Sequence, residues 1–408
     1  MRILLISAYF PPENGSASHL FHEMGRELAA RGHHITVLTG MPAYHVTGAA
    51  DSYAGHILMR EQMDGMEVVR MAGPHFARNN MLGRGVWQLA SACTTFISGI
   101  TLPKHDVALV YSPPLFLGLT AWLFHLLRGT PFVLNVQDLF PQSAIDLEVL
   151  KNIRTIANLQ QIERFVYHKA AHITVHSPGN KLWIQKLGVL SHDISIIPNW
   201  VDTGLITPGP RYNSFRSEHG LEGKKVISFA GAIGYSMGLD TVLEAASLMR
   251  EQSDLIFLLV GDGVEVMRLK AKVAELQLIN VRFLPMQAKE NYPEVLRTSD
   301  VSLVSLSEKV KTPVVPSKIG SIMAAGRPIV ALLDPASDAA HLIQQAQAGL
   351  VVAPGDASAL ADAISGLLAD PVRMEQFGAN GRSFAEAHLS ISTAADTLEK
   401  LLEYATFL

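Results

Sequence analysis

Twice along this chain, short β-branched or leucine-rich runs alternate with helix-length amphipathic segments. The two series are separated by Pro198–Phe215, PNWVDTGLITPGPRYNSF, whose three prolines and turn residues break the periodicity. The first series offers strands at Ile3–Ile6, Ile35–Leu38, Val68–Met71, Val107–Tyr111, Phe132–Val136, Ile173–Val175 and Ile194–Ile197. The second offers Val226–Ala230, Ile256–Val260, Val281–Leu284, Val301–Leu306, Ile329–Leu333 and Leu350–Val352. Strands alternating with helices predict parallel sheets covered on both faces. His19–Arg31 reads as a helix with Leu20, Met24, Leu28 and Ala29 on one face. Val86–Ile100 reads as another, with Val86, Leu89, Cys93, Phe96 and Ile100 recurring at helical spacing. The end, Ala357–Leu408, is helical throughout in pattern. The expected architecture is α/β, two doubly wound domains with an interdomain cleft, ligands binding at the carboxyl ends of the strands.

At 408 residues and 48% hydrophobic content the chain can fill two large cores. A net charge of −4 argues against a nucleic-acid partner. The charge is uneven: residues 1–200 carry 15 basic and 13 acidic residues, leaving 18 and 24 for the rest. Cys93 is the only cysteine, so no internal disulfide forms, which fits a reducing, cytoplasmic setting. MRILLISAYFPP is too short before Pro11-Pro12 to read as a secretion signal. Gly85–Pro103 is too polar, and Leu115–Leu127 too short, for a membrane crossing; both read as core helices. A surface contact with a membrane through Val86–Ile100, flanked by Arg78 and Arg84, is the weaker alternative.

Chemistry concentrates in the loops after strands. Pro316-Ser317-Lys318 opens a helix after strand Val301–Leu306; Ser317 suits an N-cap and Lys318 adds a point charge where free amides face outward. Such a start suits a phosphate or diphosphate, although an ordinary capped helix has the same signature. Gly231-Ala232-Ile233-Gly234 and Gly261-Asp262-Gly263 follow two further strands and let a backbone approach a ligand closely. Neither is Gly-x-Gly-x-x-Gly, so a nicotinamide cofactor is not supported. In the first half, Gly15 lies in a strand–helix loop where Ser16 or Ser18 would cap the helix. Gln137 and Asp138 end a strong apolar strand, where catalytic groups of open sheets collect. With no Asp-x-Asp pair and no cysteine cluster, the reading is of a site without metal or cofactor.

In order and spacing the segments ELAARGHHITVLTG, IIPNWVD, FAGAIGYSMGLDTVLEAA, LVGDG and PSKIGSIMAAGRPIVA resemble the family 4 retaining glycosyltransferases of GT-B fold. TGMPAYHVTG and NVQDLFPQSA are most similar to the branch that builds bacterial O-antigens and exopolysaccharides, N-acetylfucosamine transferases included. The resemblance implies an acceptor-side Rossmann-like domain over residues 1–200 and a nucleotide-sugar domain over 201–385. A last helix, 386–408, would return to the first domain. It implies a nucleotide-sugar donor, UDP-linked, and a lipid-linked or saccharide acceptor at the inner face of the cytoplasmic membrane. Gly15, Gly234, Gly261, Gly263, Ser317, Lys318 and Ser321 would bind donor and phosphate, with Asp138, Gln137 and Lys318 at the reacting centre.

The chain departs from that pattern at named places. Gln137 stands where the family often has histidine, Ala232–Met237 carries no basic residue, and Pro313 and Ser321 stand where many members carry two glutamates. Lys309 or Lys311 would then supply the missing charge. Two other readings stay open: a nucleotide-sugar epimerase of the same fold, and a donor-binding protein without turnover.

Overall fold

A computed structural model describes residues 1–13, 15–42, 53, 55–73 and 81–408. Asn14, most of the segment TGMPAYHVTG, and Arg78 lie outside the described residues, as does the side chain of Arg84. The chain divides into two compact units, Met1–Asn199 with Ile391–Leu408, and Trp200–Ser390.

The first unit contains β1 (Arg2–Ile6), α1 (Ser16–Ala30), β2 (His34–Gly40), β3 (Leu58–Met63), β4 (Met66–Met71), α2 (Met81–Gly99), β5 (Val107–Ser112) and α3 (Phe116–Arg128). It continues with β6 (Phe132–Val136), α4 (Gln142–Asp146), α5 (Ile153–Lys169), β7 (His172–Val175), α6 (Pro178–Lys186) and β8 (Ile194–Ile196). The strands run in the order β3-β4-β2-β1-β5-β6-β7-β8. All pair in parallel except β3 with β4, an antiparallel hairpin. β5 and β6 are buried at every position, as expected of strands covered on both faces. β3 is the strand the sequence pattern did not announce: LMREQM has no apolar run, and it sits at the sheet edge with alternating exposure. Its signal was in the turn, where Asp64 at φ 48° and Gly65 at φ 81° make the Asp-Gly hairpin.

The second unit holds α7 (Ser214–Glu218), β9 (Lys225–Ala230), α8 (Asp240–Leu248), β10 (Leu255–Val260), α9 (Val266–Glu275), β11 (Val281–Leu284), α10 (Tyr292–Thr298) and β12 (Val301–Ser305). Then follow α11 (Lys318–Ala324), β13 (Ile329–Leu332), α12 (Asp338–Gln345), β14 (Gly349–Val352), α13 (Ala357–Leu368) and α14 (Pro371–His388). Its all-parallel sheet has the order β11-β10-β9-β12-β13-β14. Counted within the unit this is 3-2-1-4-5-6, the doubly wound order, so connections diverge to opposite sides between β9 and β12. α14 runs unbroken through 386, and Val201 N donates to Leu389 O at 2.8 Å where the chain leaves this unit. α15 (Ile391–Ala405) belongs to the first unit. Arg31 Nη1 donates to Asp396 at 2.7 Å and to Glu399 at 3.0 Å, and His33 Nε2 lies 2.6 Å from Glu399.

α2 is built against expectation. Its buried face is Ser91, Ala92, Thr95, Ser98 and Gly99, whereas Leu89, Cys93, Ile97 and the following Ile100 are exposed. The small face wins because α3 comes close: a β-carbon on Gly99 would stand 2.3 Å from Phe124, and Thr120 donates to Ala92 O at 3.0 Å. Of the apolar stripe read as core, Leu89, Cys93 and Ile100 therefore face outward, while Phe96 packs on the core and stacks on Phe124; the side chain of Val86 lies outside the described residues.

Candidate functional site

In the second unit three loops meet at the divergence between β9 and β12. The first two are the turns after β9 and β10, laid backbone to backbone. Gly231 N donates to Val260 O at 2.9 Å and Ile233 N to Asp262 O at 2.8 Å. Gly261 has φ +157° and Gly263 φ +153°; β-carbons there would stand 1.9 Å from Gly231 O and 2.3 Å from Ile233 O. Contact between the turns thus accounts for both glycines. Gly234 differs. Its φ of −115° suits any residue, and among the described residues nothing lies within 4 Å of where its β-carbon would be. The chain itself does not require glycine there.

The same loop is stitched to the end of β12. Ser305 Oγ donates to Met237 O at 2.5 Å and Ser307 N to Ser236 O at 2.8 Å. Gly238, at φ +59°, would meet Ser307 Cα at 2.9 Å if it carried a β-carbon.

The third loop leads into α11, a helix of seven residues. Ser317 has helical backbone angles and makes no capping hydrogen bond, so the side-chain cap expected there is not formed. Ile319, Gly320, Ile322, Met323 and Ala324 are buried, which fixes the helix on the core. Side chains lean toward a helix N-terminus, and Lys318, in the first turn, runs back over the end of β9. Its Nζ stands 3.4 Å from the centroid of the Phe229 ring, and a β-carbon on Gly231 would lie 3.4 Å from it. The residue keeps part of its surface exposed, but the nitrogen is buried and has no hydrogen-bond partner among the described residues. Burial pushes its pKa down from 10.5 to about 7. An unpaired ammonium in such a place costs several kcal/mol, and a cation–π contact returns only ~2 kcal/mol. A group that opposes folding in this way marks a functional site more often than a structural one.

The other candidates of this unit scatter around it. Ser321 is hydrogen-bonded to Tyr292, whose hydroxyl burial pushes up to about 12. Lys309 and Lys311 are exposed in the loop before α11.

In the first unit the divergence point lies between β1 and β5, and the loop after β1 ends at Gly15. Gly15 is itself the N-cap of α1, at φ +152°, so the N-cap has no side chain; Ser18 Oγ has no hydrogen-bond partner among the described residues, and the side chain of Ser16 lies outside them. What anchors this loop has no signature in the sequence. Arg70, fully buried on β4, is bonded to Pro11 O and to Glu61 at 2.6 Å, with Phe10 and Tyr53 beside its guanidinium.

Asp138 follows β6. Burial raises its pKa, opposed by hydrogen bonds from Ser143 Oγ at 3.1 Å and from the Leu139 amide. Gln137 Nε2 donates to Asn135 Oδ1 at 2.9 Å, and Asn135 Nδ2 to Thr174 at 2.8 Å. Glu163 and Tyr167 of α5 form a buried hydrogen-bonded pair, and burial lifts Glu163 to about 7. Among the described residues no three His, Cys, Asp or Glu side chains gather as a metal site.

Two sequence families match this architecture unit by unit. The glycosyl transferase 4-like domain matches residues 15–200 and the glycosyl transferases group 1 domain residues 212–384. The chain is a family 4-like glycosyltransferase. This glycosyltransferase is 29% identical to Pseudomonas aeruginosa WbjE, itself named as a glycosyltransferase, over 71% of the chain and 72% of the relative. It is 26% identical to Escherichia coli WcaI, named for colanic acid biosynthesis, over 80% and 82%. Its fold is GT-B. The sucrose-phosphate synthase structure from Thermosynechococcus elongatus covers 99% of the glycosyltransferase and 98% of its own chain, with TM-score 0.78 at 20% identity. Anabaena HepE, solved in complex with UDP, covers 99% and 100%, with TM-score 0.73 at 17% identity.

Proposed function

We propose that this glycosyltransferase moves a sugar, an N-acetylated amino sugar of the N-acetylfucosamine kind, from a UDP-linked donor to a lipid-linked or saccharide acceptor. The setting is the assembly of a bacterial surface polysaccharide. The observation that carries the donor reading is Lys318, a buried amine without a partner among the described residues, at the divergence point of a doubly wound sheet. The names of WcaI and of the HepE complex support the pathway class and the nucleotide. The amino-sugar reading rests on NVQDLFPQSA and TGMPAYHVTG.

Transfer with retention breaks the bond from the anomeric carbon to the diphosphate and forms the acceptor bond on the same face through an oxocarbenium-like state. The departing phosphate oxygen receives the acceptor hydroxyl's proton. Lys318 meets the charge as it develops on that diphosphate, a contact that strengthens toward the transition state. Gly234 leaves the β9 loop open for the phosphates, and no metal ion enters the reaction. In the first unit, Asp138 and Gln137 orient the acceptor.

Among the described residues no helix is long and apolar enough to cross a membrane. A lipid-linked acceptor instead favours peripheral contact at the inner face of the cytoplasmic membrane. Exposed Leu89, Ile97 and Ile100 on and after α2, with Leu126 and Leu127 on α3, support this.

The test is thermal shift against UDP, GDP, ADP and dTDP and their sugars, followed by transfer assays with the best donor. UDP should stabilise the protein, by ~2.7 kcal/mol at 100 times its dissociation constant, and its sugar should be transferred. Stabilisation by none of the four nucleotides would overturn the donor reading. Conversion of the donor to an isomer without acceptor would replace transfer by epimerisation.

A further inference from the structure

Lys318 has no counter-ion among the described residues, and its surroundings explain how the fold tolerates that. Its nitrogen lies on the face of Phe229, itself 0% exposed at the end of β9, with the Gly231 turn beside it. Burial without a hydrogen-bond acceptor costs the ammonium more than its attraction to the ring returns, so the neutral amine gains ground unless an anion is present. The charged and titratable groups on the surrounding elements do not relieve this. Asp262 receives the Gly263 amide at 2.7 Å, and Glu265 holds Arg268 at 2.5 Å. Tyr292 is bound to Ser321, and Glu308, Lys309 and Lys311 lie exposed on the loop after β12. None of them contacts the Lys318 nitrogen, which has no partner among the described residues.

We propose that Phe229 is the positioning residue for Lys318: its ring holds the amine dry and without a counter-ion, so that above neutral pH a nucleoside diphosphate binds together with a proton. The inference rests on the donor reading above and adds to it a coupling between donor and proton. The step balances simply. The lysine nitrogen takes one proton from solvent, and the ammonium then pairs with phosphoryl oxygen. Above neutral pH, affinity for the diphosphate should fall, because each binding event must draw that proton from an increasingly basic solution. The site thereby favours a multiply charged phosphate group over neutral or singly charged ligands, since only a strong anion makes protonation of the buried amine favourable.

The experiment is calorimetric titration of UDP into the full chain at pH 8.5 in buffers of different ionisation enthalpy. At that pH the terminal phosphate of UDP is fully ionised, its last pKa being about 6. About one proton should be taken up per UDP bound, from a lysine whose pKa begins near 7. The Lys318→Met protein should bind more weakly with no uptake. Phe229→Leu, which admits water to the amine, should move the alkaline fall of UDP affinity upward by about one pH unit. A purely structural role for Phe229 would lower stability and leave that midpoint in place. Tight UDP binding to the wild type without proton uptake overturns the coupling and leaves the donor reading standing. Failure of the wild type to bind any nucleoside diphosphate overturns both.

Discussion

A β-carbon on Gly261 would stand 1.9 Å from the carbonyl oxygen of Gly231, so the turns after β9 and β10 reach their positions only because that carbon is missing. Gly261→Ala should therefore destabilise the second unit, by about 2–4 kcal/mol, read as a lower denaturant midpoint. Gly234→Ala should behave in the opposite way. Its backbone is ordinary and its surroundings among the described residues empty, so stability should hold or rise by ~0.5 kcal/mol while UDP affinity falls at least tenfold. Equal affinity for UDP in the Gly234→Ala and wild-type proteins would remove Gly234 from the donor site.

Lys318 should oppose folding. Its folded pKa, near 7, lies below the 10.5 of the exposed side chain, so between those values the unfolded chain binds more protons and stability rises with pH. Lys318→Met should stabilise the apoprotein by a few kcal/mol at pH 7. That gain should shrink toward zero as pH approaches 10.5. Melting curves of both proteins from pH 7 to 10 check this, and a destabilised variant at pH 7 would contradict the burial of the amine.

Glu163 gives the reverse slope. Burial raises its pKa from 4.5 to about 7, so from 4.5 upward the unfolded chain is the more ionised and stability falls with pH. Glu163→Gln keeps an acceptor for Tyr167 but cannot ionise. It should match the wild type at pH 4.5 and exceed it at pH 8, by roughly 1–3 kcal/mol. A constant difference across that range would show that the acid is not buried in its charged form.

The outward apolar face of α2 makes membrane contact testable. Leu89 and Ile97 are 50% and 55% exposed. Exchanging both for glutamine should abolish co-sedimentation with vesicles containing anionic lipid and leave UDP affinity unchanged. Equal sedimentation of variant and wild type would assign the face another role.

Most strands were legible because a parallel sheet writes itself as uninterrupted apolar runs; Phe132–Val136 and Val281–Leu284 match their sequence bounds. β3 was not legible by that rule, since an edge strand needs no such run and LMREQM has none. In α2 periodicity reports which residues share a side, not which side packs, and of the stripe it marks only Phe96 is seen to pack on the core among the described side chains. There the deciding factor was room for Phe124 beside Gly99. At the site, Lys318 could be located from the Pro-Ser-Lys start after a strand. Its desolvation could not, because that depends on Phe229, distant in sequence on another strand. Arg70 was invisible for the same reason: its pairing with Pro11 O and Glu61 is made by strand order.

The role of Lys318 in transfer is tested most directly by initial rates for Lys318→Met, measured with EDTA present and with the donor that best stabilises the wild type. It predicts a variant at least as stable as the wild type, with kcat lowered about 10²–10³-fold and donor KM changed much less. Transfer within twofold of the wild-type rate would contradict it.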